Sequence, residues 1–572
     1  MSLSWFSISI DTRDRKEGKK NVNMLVGTND DGSDFTVKAD DLLTHGVILG
    51  RTGSGKTGVT VTTIENAVMS GASAIILDPK GDLTNLALAF PNLAAEDFAP
   101  WAEQGSDPVK LAERAQRELG HLAPNVRAWK DAGDVTIYAP GKTHGGGQPV
   151  NVLASFGAPN GSYNDQALRD RASAVVSSVL SAVGHSADPL TDPANVFLTD
   201  VMVDSWKSGQ GMPMETWATV LTNPPAKFQS IDGLPINDFF PKKNRLKIAR
   251  AVVGFRRQAT KWLEGEALSI DSYIGVDKPK VSVFTMRHLN EGERQFFAAM
   301  LLSAIVDYMF RAPASNKLRL LVVLDEARGY LPPYPLNPPT KKPICTLLAQ
   351  ARAHGIGVLI GTQNPNDMDY KALTNVGTWF LGKLRERDCA RDLKRELSVR
   401  NVDKEVLSTV PQQHFLVLKK DGTHSVAKIR WAYSYLRGPL SGEELLSLES
   451  SVVTRAATKA APVTASVYTG SGDIDINFAL TDINSGWSTV AVEHSVDGGS
   501  SWKTSRIKNA HAHYGSSPVG QNHTVVWNTA KDVGRKKVTA LVRLRINGHA
   551  SQHYSVFNVD NSKIGLLSSL FA

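Results

Sequence analysis

GRTGSGKT, Gly50 to Thr57, is a Walker A loop, and its flanks have the context such a loop needs. Val47-Ile48-Leu49 ahead of it reads as the end of a buried strand, and Gly58 to Ala67 behind it, with few breakers, reads as a helix. Glycines let the backbone wrap closely round phosphate oxygens with its N–H groups pointing inward, and the helix N-terminus adds positive potential. Gly50, Thr52, Gly53, Ser54, Gly55 and Gly58 would line this cradle. Lys56 would reach the β- and γ-phosphates, and the Thr57 hydroxyl would ligate Mg²⁺. At average residue usage the pattern arises by chance in about 2% of chains this long, and the strand–loop–helix context lowers that further. The reading is a nucleotide site, with ATP and Mg²⁺ as its ligands.

Working outward, Ala72 to Leu77 is a second buried strand, and it runs into DPKGD, Asp78 to Asp82. Residues 83–275 interrupt the alternation with mostly helical patterns, such as Gln166 to Val183 and Lys247 to Leu263, around one strand-like piece, Val135 to Tyr138. Strands resume at Val281 to Phe284. Leu318 to Leu324 is an almost purely aliphatic run that suits a central parallel strand. Gly357 to Gly361 is another, ending in Thr362-Gln363-Asn364, and Phe415 to Leu418 and Ser425 to Trp431 would close the sheet. Strands alternating with helices in this way predict a doubly wound α/β fold.

Asp325 and Glu326 end the aliphatic strand as a Walker B pair. Asp325 would hold the Mg²⁺ through water, and Glu326 would polarise the attacking water; the plain alternative is an acidic pair capping the next helix. Gln363, ending a neighbouring strand, would sense the γ-phosphate or simply hydrogen-bond within its loop. Asp78 and Lys80 face the same edge, where metal-shell polarity, phosphate contact and structural ion pairing all remain open. Arg385, Arg387 and Arg391 follow the strand Thr378 to Leu384; they suit either an arginine finger or a solvated helix start paired with Glu386 and Asp388.

The combination resembles the HerA/FtsK branch of P-loop ATPases, specifically bacterial HerA-like proteins. The resemblance rests on the P-loop, on ILDPKGDLTNLALAFPNL (Ile76 to Leu93), and on the block Leu324 to Asp388, which contains LDEARGYLPP and LIGTQNPND. TIYAPG (Thr136 to Gly141) and KWLEGEALSID (Lys261 to Asp271) extend it over roughly residues 40–435. It implies a RecA-like core, a hexameric ring with ATP at subunit interfaces, and ATP-driven translocation or unwinding of DNA. It also implies that Arg385 or Arg387 acts in trans. DNA-end processing and antiviral defence beside a nuclease or other effector are family-consistent settings. A secretion or conjugation ATPase and a nucleotide-switched scaffold are the alternatives. The N-terminal barrel of many relatives is expected to be absent or vestigial, because about 45 residues precede the P-loop.

After residue 450 the pattern changes, with Ser450 to Pro462 small and polar. Residues 436–462 are expected as a linker, and 463–562 as an all-β sandwich, with a tail at 563–572. VEHSVDGGSSW (Val492 to Trp502) and TVVWNTAKDV (Thr524 to Val533) resemble immunoglobulin or fibronectin type III-like modules, which bind or space partners. Six of the 14 His fall here, at His494, His511, His513, His523, His549 and His553, either as dispersed surface residues or as a metal cluster.

Composition sets the outer bounds. The chain has 572 residues, 42% hydrophobic and 21% charged, which is a globular balance. No stretch approaches the roughly 20 apolar residues a membrane span needs, and MSLSWFSISIDTRDRKEGKK lacks a signal-peptide organisation. A cytoplasmic protein is expected. Cys345 and Cys389 are too few for a disulfide framework or a zinc cluster. Net charge is +8, and residues 451–572 hold 12 Lys and Arg against 7 Asp and Glu, a balance that tolerates a polyanionic partner without requiring one.

Overall fold

In the computed structural model, residues 23–562 are described apart from 30, 104, 142–145, 153–155, 158–163, 186–190, 263, 365–367, 385–392, 394–396, 399–401, 404, 456–468, 471–472, 480–486, 489, 498–500, 509–516, 519–521 and 547–548. The chain divides into two compact units, Met1–Glu449 and Ser450–Ala572.

The first unit is built on one sheet. Its strands, in chain order, are β1 (Asn23–Asn29), β2 (Asp34–Lys38), β3 (Gly46–Leu49), β4 (Ser73–Asp78), β5 (Asp134–Tyr138), β6 (Lys280–Thr285), β7 (Ser315–Leu324), β8 (His354–Thr362), β9 (Thr378–Leu381), β10 (His414–Leu418) and β11 (His424–Ile429). Their order across the sheet is β2-β1-β11-β10-β9-β3-β8-β7-β4-β6-β5. From β9 to β5 every pairing is parallel; from β9 outward to β2 every pairing is antiparallel.

The parallel strands are buried on both faces, which explains their near-continuous Val, Ile and Leu. Successive side chains alternate between two cores. Leu320, Val322 and Leu324 join a core that also holds the helix Glu291–Arg311 and the insertion helices Asp165–Ala182 and Pro193–Lys207. Leu321 and Val323 join the core that holds the P-loop helix α1, Lys56–Met69. Helices therefore cover both faces of the sheet.

Several boundaries differ from expectation. The N-terminal segment supplies β1 and β2, which extend the sheet along its antiparallel edge; the strand-like run Trp5 to Ile10 in the sequence lies outside the described residues. Within the mostly helical insertion, the strand-like piece expected at Val135 to Tyr138 is β5, which pairs with β6 and forms the opposite edge of the sheet. The expected linker, 436–462, begins inside the first unit. Leu440 and Leu445 are buried in the α1-side core, and Gly442–Arg455 is a helix. A capping box starts that helix: the Ser441 hydroxyl accepts from the Glu444 N–H, and the Glu444 carboxylate accepts from the Ser441 N–H.

Beyond the end of the helix Gly442–Arg455, the regular structure of the second unit among the described residues is strand, with one short turn of helix, Thr529–Asp532. Asp473–Ala479 pairs with Asn522–Asn528, and Val490–Ser495, Lys537–Ile546 and His549–Asp560 form the spine of a larger sheet. Ile474, Ile476, Val492, Trp527, Val542 and Phe557 form its core. His494 is not a surface residue: it is buried, its Nδ1 lies 3.0 Å from the Ser505 hydroxyl, and its ring packs on Trp527. His511 and His513 lie outside the described residues.

Candidate functional site

The C-terminal ends of β3, β4, β7, β8 and β9 lie together, the edge where open α/β sheets bind ligands. The P-loop leaves β3 and turns into α1 through Gly55, whose φ of +97° lies in the left-handed region. Gly50 is required for a second reason: a Cβ there would sit 2.4 Å from the Ser54 hydroxyl. Thr52, Gly53 and Gly55 are open or part-exposed around the loop, and space beside Gly53 and Gly58 is free within 4 Å of a notional Cβ. Thr57 sits in the first turn of α1, half-buried.

Lys56 is buried. Its Nζ donates to the Asp325 carbonyl oxygen at 3.1 Å and stands 3.7 Å from Glu326 Oε2. Burial pulls its ammonium below the usual lysine range, against the opposing pull of Asp325 and Glu326. The acidic pair divides in character. Asp325 is almost fully buried and its carboxyl is pushed up, chiefly by burial. Glu326 is half-buried with both oxygens engaged: Lys80 Nζ donates to Oε2 at 2.8 Å, and the Thr362 hydroxyl donates to Oε1 at 3.0 Å. Burial pushes Glu326 up, but Lys56, Lys80 and Thr362 together outweigh it and hold the carboxyl below its usual range.

Asp78 is fully buried at the end of β4. Its carboxylate accepts the N–H groups of Gly81 at 2.7 Å and Leu83 at 2.9 Å, so it anchors the DPKGD turn that carries Lys80. Burial first, then the neighbouring Asp325, pushes it up to about 7. Gln363 reaches the P-loop, where its Oε1 accepts from the Thr52 hydroxyl at 2.9 Å. Arg385, Arg387 and Arg391 lie outside the described residues.

Three contributors have no motif to announce them. Thr362 is one and the Lys80–Glu326 pair is another. The third is the turn Gln412-Gln413: Gln412 Nε2 donates to the Gly53 carbonyl at 3.1 Å and the Gln413 N–H to the Ser54 carbonyl at 3.2 Å, latching the P-loop from the strand β10 side.

Two buried polar atoms at this edge, the Ser54 hydroxyl and Asp325 Oδ1, have no hydrogen-bond partner among the described residues. A buried carboxylate oxygen left so is costly unless a ligand completes it. With the Thr57 hydroxyl at the helix start, the donor set fits a hard divalent cation and a phosphate chain. Lys56, Asp325, Glu326 and Gln363 are thus brought together as the motifs require.

Residues 24–126 match the family model "Helicase HerA, central domain". A comparison with curated proteins gives no match. Among solved structures, the chain is similar to VirB4 of Thermoanaerobacter pseudethanolicus, at 16% identity over 72% of this chain and 97% of that one, with a TM-score of 0.40. It is also similar to the plasmid coupling protein TrwB in complex with ADP and Mg²⁺, at 13% identity over 74% and 98%, TM-score 0.45. A third likeness is to the genome packaging NTPase B204 of Sulfolobus turreted icosahedral virus 2, at 18% identity over 27% and 70%, TM-score 0.20. None of the three reaches a TM-score of 0.5, and no functional argument rests on them. The family match covers the segment that holds the P-loop, and the fold sets the acidic pair Asp325-Glu326 beside that loop, against Lys56.

Proposed function

We propose that the chain is an ATP-hydrolysing motor that moves along or unwinds DNA, working as a hexameric ring. The observation that carries the hydrolysis in this reading is the pairing of unlike carboxylates beside the P-loop: a buried Asp325 with an unpartnered oxygen and a Glu326 held on both oxygens by Lys80 and Thr362; the DNA and the ring rest on the resemblance to HerA-like proteins. Two acids whose surroundings push them apart take different roles. Asp325 and Thr57 would hold Mg²⁺, which neutralises phosphate charge when bound. The loop N–H groups from Gly50 to Gly58 and the Lys56 ammonium hold the triphosphate. Glu326 takes the proton of the attacking water, and Gln363, tied to Thr52, orients the γ-phosphate side of the site. Arg385 or Arg387 would act in trans across the ring interface, supplying charge where the transition state develops it. The C-terminal unit serves as an immunoglobulin-like module that recruits a partner; the antiparallel pairing around Trp527 supports that reading.

Glu326→Gln tests the assignment. The variant is expected to bind ATP within a few-fold of the parent while turnover falls by about 10²-fold or more, the range lost with a general base. Normal hydrolysis by Glu326→Gln would overturn the role of Glu326. DNA-stimulated turnover separates the motor from a scaffold that only switches, and a protein cargo in place of DNA would leave turnover indifferent to any duplex.

A further inference from the structure

One helix of the insertion carries a charge pattern that the nucleotide site does not use. Lys242–Gln258, KKNRLKIARAVVGFRRQ, holds seven Lys and Arg and no Asp or Glu, in a chain whose net charge is +8. Its apolar side is spoken for. Ile248, Ala249 and Val252 are buried, and Phe255 packs edge-on against Phe296 with ring centroids 5.5 Å apart. Arg245 also turns inward, donating to the carbonyls of Leu221 and Phe240 and to Asn237 Oδ1, which satisfies the chain ends packed there.

Four of the remaining six cations fall on the opposite side. Lys243, Lys247, Arg250 and Arg257 stand at i, i+4, i+7 and i+14, which places them in one stripe diametrically across from Val252, and all four are exposed. The stripe runs about 21 Å at 1.5 Å per residue. Gly254 falls in the middle of it and has no atom within 4 Å of a notional Cβ, so a rigid partner can approach the helix closely there. Among the described residues, no carboxylate lies within ion-pair distance of any of the four. Arg256, off the stripe, does have such a neighbour, Glu215 at 3.6 Å.

We propose that this stripe is a docking surface for the phosphate backbone of a nucleic-acid duplex, separate from the nucleotide site. Charge complementarity selects the occupant: four unneutralised cations in a line match a polymer that presents one negative charge per about 1.7 Å of duplex axis. An anionic bilayer fits less well, because a membrane-lying helix inserts an apolar face, and here Val253 is the one large apolar residue exposed on the helix. With no base-reading geometry offered, the contact is to backbone and indifferent to sequence. The inference rests on the DNA-motor reading for the identity of the polymer and assigns that polymer a site on the insertion.

The test uses the full chain with all four residues changed (Lys243→Gln, Lys247→Gln, Arg250→Gln and Arg257→Gln), titrated by fluorescence anisotropy with a labelled 30-base-pair DNA duplex between about 50 and 200 mM salt. Losing four phosphate contacts is expected to reduce the slope of log K against log salt by about 3 to 4 and to weaken binding roughly 10²-fold or more near 0.1 M salt. Melting temperature and turnover without DNA should match the parent, and Arg250→Lys with Arg257→Lys should bind as the parent does. A fourfold variant that keeps the parent's slope and affinity overturns the proposal and leaves the motor reading standing. So would a parent that binds phosphatidylserine-containing vesicles through this stripe and binds no duplex, which would also remove DNA as the cargo. Loss of duplex binding in the variant, with DNA leaving the parent's turnover unchanged, supports the stripe and sinks translocation instead.

Discussion

Lys80 shows how a single side chain can matter at this site without belonging to a motif. It projects from the turn that Asp78 anchors through three backbone N–H groups, its own among them, and its ammonium lies 2.8 Å from Glu326. Three roles were open from its place beside the strand end; the geometry favours one, positioning of Glu326. Lys80 is more than a third exposed, so solvent screens the pair and its effect on stability should be small. Its effect on orientation should be larger, because Thr362 and Lys80 grip opposite oxygens of one carboxylate. Lys80→Ala is therefore expected to slow turnover by about 10-fold while leaving nucleotide affinity within about 3-fold, as for an interaction that matters mainly in the transition state. Steady-state hydrolysis beside a fluorescent-nucleotide titration checks it. Affinity lost with turnover at saturation intact would make Lys80 a phosphate ligand instead.

At the scale of elements, His45 adds a side-chain tie to the parallel pairing of β3 and β8. It precedes Gly46 at φ +62°, is buried, and its Nδ1 accepts the Val358 N–H at 3.1 Å. Burial above all lowers its pKa to about 4. Between pH 4 and about 6.5 the unfolded chain binds this proton and the folded chain does not, so stability rises with pH across that window. It is fully present above about 6.5 and is lost as pH falls toward 4, at most about 3 kcal/mol. His45→Asn keeps an acceptor and tolerates positive φ. That variant should flatten the pH 4–6.5 dependence of hydrogen-exchange protection at the β3 and β8 amides; an unchanged slope would assign the acid sensitivity elsewhere. His45 carries no sequence signal, since a lone histidine before a strand reads as nothing in particular. The P-loop, Asp325-Glu326 and Gln363 were readable because each is a local pattern of residues next to an aliphatic strand. Thr362, the Gln412-Gln413 latch and the pairing of β1 with β11 were not, because they depend on contacts between residues hundreds of positions apart, which no local period encodes. The helix Gly442–Arg455 does have a local signal, the capping box of Ser441 and Glu444, obscured by the small, polar stretch that follows.

For the whole molecule, that helix decides where the chain can be divided. Two compact units meet at Glu449 and Ser450, yet the helix that starts in the first unit continues to Arg455. Leu445 is buried in the α1-side core, and Arg437 is ion-paired to Glu444, so a cut ahead of residue 449 would strip packing from the core that supports α1. The second unit has its own core around Trp527, whose indole N–H donates to Asp532 at 2.8 Å, and none of the nucleotide-site residues lies within it. Each unit is thus long enough and apolar enough inside to fold alone. Ending the chain after Arg455 is expected to leave ATP affinity within about 2-fold and the melting temperature of the ATPase unit within roughly 3 °C, while docking to any partner of the second unit is lost. Calorimetry of the full chain should then show two transitions, one of them reproduced by residues 1–455 alone. A single shared transition, or loss of nucleotide binding in the shortened chain, would mean that the second unit stabilises the ATPase sheet. The charge ledger gives this cut a further consequence. Residues 451–572 carry 12 Lys and Arg against 7 Asp and Glu, and those among the described residues fall in helix, turns and strands alike, whereas the insertion helix concentrates four of its seven in one stripe. Duplex affinity should therefore survive removal of the second unit to within about 10-fold and still collapse when the stripe is neutralised in the shortened chain.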